Sequence, residues 1–189
     1  MSDGSRFRAS GWRGREVEIP RPGPEQGPVP LEFTGGLTTS FEVVAVRRST
    51  TRKEYGGKLL HAYGPGAHRV LLPGGYDRVE VTRVKPRPSS GTGFSRWRLR
   101  TVEAAELPAL ADSGTMSGRN EDLVYFEGHA RVSYAWLGAT EHGELHFTSA
   151  SGGTARRLTR QGDIRGEVTV PGSGFLAIST WGKWTLERR

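Results

Sequence analysis

The chain has 189 residues and no cysteine, which excludes disulfides and thiolate metal sites. Its formal net charge is +7, and its 34% of hydrophobic residues are clustered enough to form a packed core. No apolar run approaches the ~18 residues of a membrane span, and the first residues lack the apolar segment of a signal peptide. We therefore expect a cytoplasmic protein without a membrane partner.

The first 31 residues predict an extended N-terminal arm. Gly, Ser and Arg dominate residues 1–15, and prolines are frequent in residues 20–30. Because proline fixes φ and has no N–H to donate, this stretch is expected to be extended rather than part of a sheet. Trp12 and Phe7 are the candidate contacts to a partner, since an aromatic ring on a mobile arm has little other use.

Residues 32–189 contain two copies of one small β unit. The endings of the copies align best: 70–74 with 168–172, 79–81 with 176–178, and 97–99 with 184–186. Three earlier alignments are 33–35 with 126–128, 41–46 with 130–136, and 57–60 with 143–147. Apolar and polar residues alternate with a period of two in each copy, which indicates half-buried antiparallel strands.

Short strands separated by Gly, Pro, Ser and Thr predict an all-β fold of two tandem antiparallel β-sandwich or jelly-roll-like domains. The predicted domains are residues 32–102 and 120–189. Residues 103–119 are predicted to be a linker with a short helical turn, which Pro108 limits to a turn or two. Trp97 and Trp184 are expected to fill equivalent places in the two cores.

The second copy ends on the pattern Val-Pro-Gly-x-Gly-Phe-Leu-x-Ile-x-Thr-x-Gly-x-Trp-Thr-Leu, residues 170–186. This ending resembles small β-sandwich domains of uncharacterised actinobacterial proteins, and it is distantly similar to the pre-peptidase C-terminal type of accessory domain. The resemblance covers both copies. It implies a sandwich fold and an accessory or ligand-binding role, and it brings no catalytic residue with it.

Motifs for catalysis are missing from the sequence, which has neither Gly-x-Ser-x-Gly nor a phosphate-binding loop. His142 and His146 alternate with Glu144 as on a strand, which would put the two rings about 13 Å apart. One zinc ion could not bind both, because Zn–N bonds are about 2.0–2.1 Å long. We expect no enzymatic activity, no cofactor, no metal and no small-molecule ligand.

Positive charge is concentrated in the first copy. Residues 32–102 carry thirteen basic and five acidic side chains, whereas residues 103–189 carry nine and eleven. Arg96, Arg98 and Arg100 alternate with apolar or small residues, so all three are predicted to point outward, about 6.6 Å apart. That spacing is near the separation of successive phosphates on an extended single strand. The candidate anion-binding residues are Arg83, Lys85, Arg87, Arg96, Arg98 and Arg100.

Three functions fit these features. The favoured one is a non-enzymatic protein-interaction or assembly module, in which the basic copy of one chain meets the acidic copy of the next. Trp181, in the turn before Trp184, is a further candidate partner contact. The alternative is binding of nucleic acid or another polyanion through the basic face, although we expect no exposed aromatic residue near the arginines for base stacking.

A carbohydrate-binding accessory protein is the third function. It is disfavoured because sugar recognition uses planar polar side chains, and the chain has only Asn120, Gln26 and Gln161. The arginines also have a purely structural explanation, namely a charged outer sheet face that discourages edge pairing.

Overall fold

The computed structural model describes residues 7–21, 27–35, 39–62, 66–84, 96–110, 114–138 and 143–189. Their secondary structure is almost entirely β-strand. The chain divides into two compact units, Met1–Val102 and Glu103–Arg189. The predicted all-β tandem sandwich fold is confirmed, with corrections to where each unit begins.

The described residues of unit 1 form eight strands in two antiparallel sheets. The strands are β1 (Arg8–Gly11), β2 (Arg15–Glu18), β3 (Val29–Gly35), β4 (Ser40–Arg48), β5 (Lys53–Ala62), β6 (Gly66–Leu72), β7 (Arg78–Val84) and β8 (Trp97–Thr101). Sheet A has the order β1-β8-β3-β6, and sheet B has the order β2-β7-β4-β5. The two sheets share one apolar core. Phe33 of sheet A, for example, meets Phe41 of sheet B edge-to-face at 5.8 Å.

Unit 2 repeats this arrangement. After a one-turn 3₁₀ helix at Ala104–Glu106, its strands are β9 (Thr115–Arg119), β10 (Asp122–Phe126), β11 (Ala130–Leu137), β12 (Glu144–Ser149), β13 (Arg156–Arg157), β14 (Arg165–Val170), β15 (Gly174–Ser179) and β16 (Lys183–Arg188). Sheet A′ has the order β9-β16-β11-β14, and sheet B′ has the order β10-β15-β12-β13. Each strand of unit 1 therefore has its counterpart eight strands later in the chain.

The prediction of an N-terminal arm outside the sheets is wrong for residues 8–18. β1 pairs with β8, and β2 pairs with β7, so both are edge strands of unit 1. An edge strand is paired on one side only, and a four-residue one directs few side chains into the core, so its sequence need not be apolar. In the connection that follows, the Arg21 guanidinium donates hydrogen bonds to the carbonyls of Gly27, Pro73 and Tyr76. Those bonds tie the described part of the proline-rich segment to the β6–β7 turn.

The predicted linker and three of the predicted alignments between the copies also differ from the structure. The segment predicted as a linker does contain the short helical turn, but it also contains β9, which pairs with β16 inside sheet A′. The three alignments of the copy endings match true counterparts, β6 with β14, β7 with β15 and β8 with β16. The three earlier alignments are shifted by one strand, because beginning the first copy at residue 32 left out β1 and β2.

Candidate anion-binding face

The central strand of the candidate site is β8, and its alternation is as predicted. Trp97 and Leu99 are buried in the core, while Arg96 and Arg98 are exposed and Arg100 is half-buried. The three arginines therefore lie in a row on the outer face of sheet A.

The strands on both sides of β8 complete this face. On β1, Ser10 lies opposite Arg98 and Arg8 lies opposite Arg100. On β3, Thr34 lies opposite Arg98 and Glu32 lies opposite Arg100. A concave depression of about 510 Å³ lies over these three strands. We call the outer face of sheet A the arginine face; its charged residues are Arg8, Glu32, Arg69, Arg96, Arg98 and Arg100.

Three arginines of the arginine face form no ion pair within the described residues. The single carboxylate among the described residues of this face is that of Glu32, which accepts a hydrogen bond at 2.8 Å from Nε of Arg100. Arg96 donates a hydrogen bond to the Ser10 hydroxyl at 2.8 Å, and no carboxylate among the described residues pairs with its charge. Within the part of the chain that the structure describes, Arg8 and Arg98 form no ion pair. Guanidinium groups bind phosphate, sulfate or carboxylate through two parallel hydrogen bonds, so this face has the chemistry of an oxyanion site.

The outer face of sheet B, in the same unit, carries a cluster of paired charges around Glu16. Glu16 lies 2.8 Å from Arg48 and 3.0 Å from Lys53, and Lys53 is also 2.7 Å from Glu80. Burial acts to raise the pKa of Glu16, but the hydrogen bonds from Arg48 and Lys53 outweigh it and hold that pKa below its usual value. The same ion pairs raise the pKa of Lys53. The arginine face differs from this cluster, because Arg8, Arg96 and Arg98 form no ion pair with any carboxylate among the described residues.

The structure brings together only part of the predicted anion-binding set. Arg96, Arg98 and Arg100 share the arginine face. Arg83 lies on β7 of sheet B, on the same side of the strand as the buried Val79 and Val81, and is not part of that face. Lys85 and Arg87 fall outside the described residues, as do residues 88–95.

Arg8 and Ser10 belong to the site, although the sequence pattern does not predict them. That pattern indicates an arm for residues 1–31, and an arm would not pair with β8. A signal was present, because Ser10-Gly11 on β1 recurs as Ser117-Gly118 on β9.

The aromatic candidates lie in different environments. Phe7 is half-buried against the core of unit 1, and its backbone exchanges hydrogen bonds with Thr101. Its ring therefore contributes to the fold, which does not support a partner contact there. Trp12, in the turn between β1 and β2, is 56% exposed, and Trp181 is 60% exposed. Both remain candidate contacts.

The histidines give no sign of a metal centre in the described ranges. His146 lies on β12 as predicted, with Nε2 2.9 Å from a carboxylate oxygen of Glu144, and Glu144 also pairs with Arg157 at 3.0 Å. His142 is outside the described residues. No group of three metal-ligating side chains occurs among those that are described. No helix in these ranges is long and apolar enough to cross a membrane.

Comparison with known proteins does not name a family. No family model matches the sequence, and no curated protein matches it either. The predicted resemblance to actinobacterial and pre-peptidase C-terminal domains therefore stays a prediction.

Solved structures show only weak similarity. The CUB1-EGF-CUB2 domain of human MASP-1/3 has a TM-score of 0.27 and 10% identity, covering 97% of this chain and 99% of its own. A protein from Eubacterium rectale that is taken to be secreted gives 0.26 and 10%, covering 96% and 67%. A protein from Parabacteroides distasonis, described in the same way, gives 0.28 and 8%, covering 100% and 90%. At such TM-scores these proteins carry no argument about function.

Proposed function

We propose that this chain is a non-enzymatic binding protein that holds an extended polyanion on the arginine face of unit 1. The observation that carries the proposal is the five arginines on one outer sheet face, with Glu32 as the single carboxylate among them. Exposed cations at regular spacing attract a polymer of anionic groups and release its counterions on contact, which makes the affinity depend on salt.

The geometry of the face supports a polymer over a single small anion. The arginines of β8 repeat every second residue, about 6.6 Å apart, and Arg8 extends the positive area sideways onto β1. The depression over them is lined by side chains of three strands, β1, β8 and β3. A ligand with repeated anionic groups can contact several of these arginines at once.

The test removes the cations that have no carboxylate partner. In the variant R8T/R96T/R98T, Arg100 is kept because its loss would leave the half-buried Glu32 without its ion pair. Three lost contacts to a flexible polyanion should lower the slope of log affinity against log salt by about 2. We expect much weaker retention on immobilised heparin and at least roughly tenfold weaker binding of a polyphosphate chain at low salt.

A matched control removes the same charge elsewhere. The variant R156T/R160T/R165T loses three exposed arginines of unit 2 and so has the same net charge as the test variant. Its retention and salt slope should stay near those of the unmodified protein. If the two variants weaken binding equally, the arginine face is not the site and the proposal is wrong.

Self-association, the function that the sequence favoured, remains a second proposal. It is supported by the charge contrast between the units, since unit 1 has eighteen basic and nine acidic residues and unit 2 has nine and eleven. Light scattering at low and high salt tests it directly: a mass above 20.7 kDa that falls with added salt is expected. A constant monomer mass would contradict it. Deleting residues 1–31 is not a suitable test, because it would remove β1 and β2 from their sheets.

A further inference from the structure

We infer that the polyanion is a single-stranded nucleic acid, with its phosphates on the arginine face and one base stacked on Trp12. This inference rests on the proposed function and adds the ligand class to it. It depends on where the structure places Trp12.

Trp12 lies at one end of the arginine row. Gly11 is the last residue of β1 and pairs with Trp97, the first residue of β8. Trp12 and Arg96 are each one residue beyond that pair, so they stand at the same end of the two strands. The guanidinium of Arg96 also donates a hydrogen bond to the hydroxyl of Ser10, which lies two residues before Trp12 in the chain. The expectation that no exposed aromatic residue lies near the row is therefore wrong. It depended on the prediction that Trp12 lies on an arm outside the sheets.

The turn that carries Trp12 is fixed by its contacts with the buried Trp97. The indole N–H of Trp97 donates to the carbonyl of Arg13 at 2.9 Å. A Cβ atom at Gly11 would come within 2.8 Å of the Trp97 ring, so the backbone at Gly11 lies directly on that ring. Trp12 is thus held on both sides by residues that contact Trp97, while its own side chain is 56% exposed. A ring held in this way loses little freedom when a base stacks on it.

Two more arginines follow Trp12 closely in the chain. Arg13 and Arg15 are exposed, and Arg15 lies over the Trp97 ring at 5.4 Å. A positively charged track combined with an exposed aromatic ring is how proteins bind single strands without sequence preference, since every base has a stacking face. In a duplex the bases are already stacked on one another and would not be free to meet Trp12.

A nucleic acid differs from other polyanions by its bases, and the experiment isolates that difference. The probes are a fluorescent oligothymidylate of about twelve nucleotides, within the site sizes of such proteins, and an abasic strand with the same number of phosphates. The unmodified protein should bind the thymidylate roughly tenfold more tightly than the abasic strand at low salt. W12A should lose this preference and keep its affinity for the abasic strand, whereas W12F should retain part of it.

The outcomes separate this inference from the proposed function. If the unmodified protein binds both strands equally, or W12A weakens both equally, Trp12 does not stack a base and the inference is overturned; tight heparin binding would then favour a polyanion without bases, such as a sulfated glycan. If R8T/R96T/R98T leaves the affinity for both strands unchanged, the proposed function fails as well. Because Trp12 is mostly exposed, W12A should keep the far-UV circular dichroism of the unmodified protein.

Discussion

The outer faces of sheets A and A′ are built from equivalent strands at the same register, but they differ in charge at the positions of the arginine face. The six charged positions of the arginine face hold five arginines and one glutamate. Their counterparts in unit 2 hold one lysine, two glutamates and three uncharged residues: Thr115, Ser133, Glu167, Lys183, Thr185 and Glu187. At these six equivalent positions, one scaffold thus carries a strong positive charge in unit 1 and a slight negative charge in unit 2.

The inward side of the same strands is closely alike in both units. Trp184 donates its indole N–H to the carbonyl of Asn120 at 3.1 Å, as Trp97 does to Arg13 at 2.9 Å. Gly118 lies against Trp184 as Gly11 lies against Trp97. The fold therefore depends on residues that the two units share, whereas the proposed binding depends on residues in which they differ. The position between Gly118 and Asn120 is Arg119, where unit 1 has Trp12.

The largest effect on stability should come from replacing the buried tryptophans that occupy equivalent positions in the two units. Trp97→Ala and Trp184→Ala should each lower the free energy of unfolding of their own unit by about 3–5 kcal/mol, because each removes a fully buried ring and leaves a cavity. Chemical denaturation, with hydrogen exchange to assign the loss to one unit, measures this effect.

The control for these substitutions is a tryptophan on the surface. Trp181→Ala removes a ring that is 60% exposed, and we expect it to change the stability by less than about 1 kcal/mol. A loss below about 1 kcal/mol for either buried tryptophan would contradict the equivalence of the two cores.

The sequence predicted this core better than it predicted the candidate site. The Pro-Gly turn, the alternating strand and the final tryptophan are close together in the chain, so β6, β7 and β8 could be matched to β14, β15 and β16 from sequence alone. Alternation with Trp97 and Leu99 was enough to place Arg96, Arg98 and Arg100 on one outer face. These features are local, because burial on one side of a strand imposes a period of two.

The rest of the site required pairings between residues far apart in the chain. Arg8 lies opposite Arg100, and Trp12 lies at the end of the arginine row, only because β1 pairs with β8. Residues 8–11 direct only the small Ala9 and Gly11 inward, so no apolar pattern marks them as a strand. The assignment of Arg83 to the same surface failed for a related reason: β7 and β8 are consecutive in the chain but belong to different sheets.

A smaller effect is expected when arginines are introduced at the equivalent positions of sheet A′ in unit 2. In the background R8T/R96T/R98T, we add T115R/T185R/E187Q, which rebuilds two of the missing arginines beside Lys183 and removes one carboxylate. Polyanion affinity should rise roughly tenfold at low salt, and the salt slope should steepen by about 1–2. Heparin retention and polyphosphate binding measure both effects.

A control variant has the same net charge as this register-matched variant. S151R/Q161R/S179R adds three positive charges at exposed and scattered positions of unit 2. It should recover less affinity than the register-matched variant, because its arginines cannot contact one ligand at regular spacing. Equal recovery would mean that net charge, and not the arrangement on sheet A, governs binding.

The smallest effect concerns the cluster of paired charges on the outer face of sheet B. Glu16 is held between Arg48 and Lys53, with Arg78 a further 3.5 Å contact, and its pKa in the folded state is below its usual value. A lowered carboxylate pKa stabilises the fold above the ordinary Glu pKa of about 4.3, and that stabilisation is lost as the pH falls through the folded-state pKa. Glu16→Gln should therefore cost at most about 1 kcal/mol at pH 7. Urea midpoints of the two proteins should converge as the pH falls through the lowered folded-state pKa of Glu16, whereas a gap that stays constant with pH would show that the charge of Glu16 does not stabilise this face.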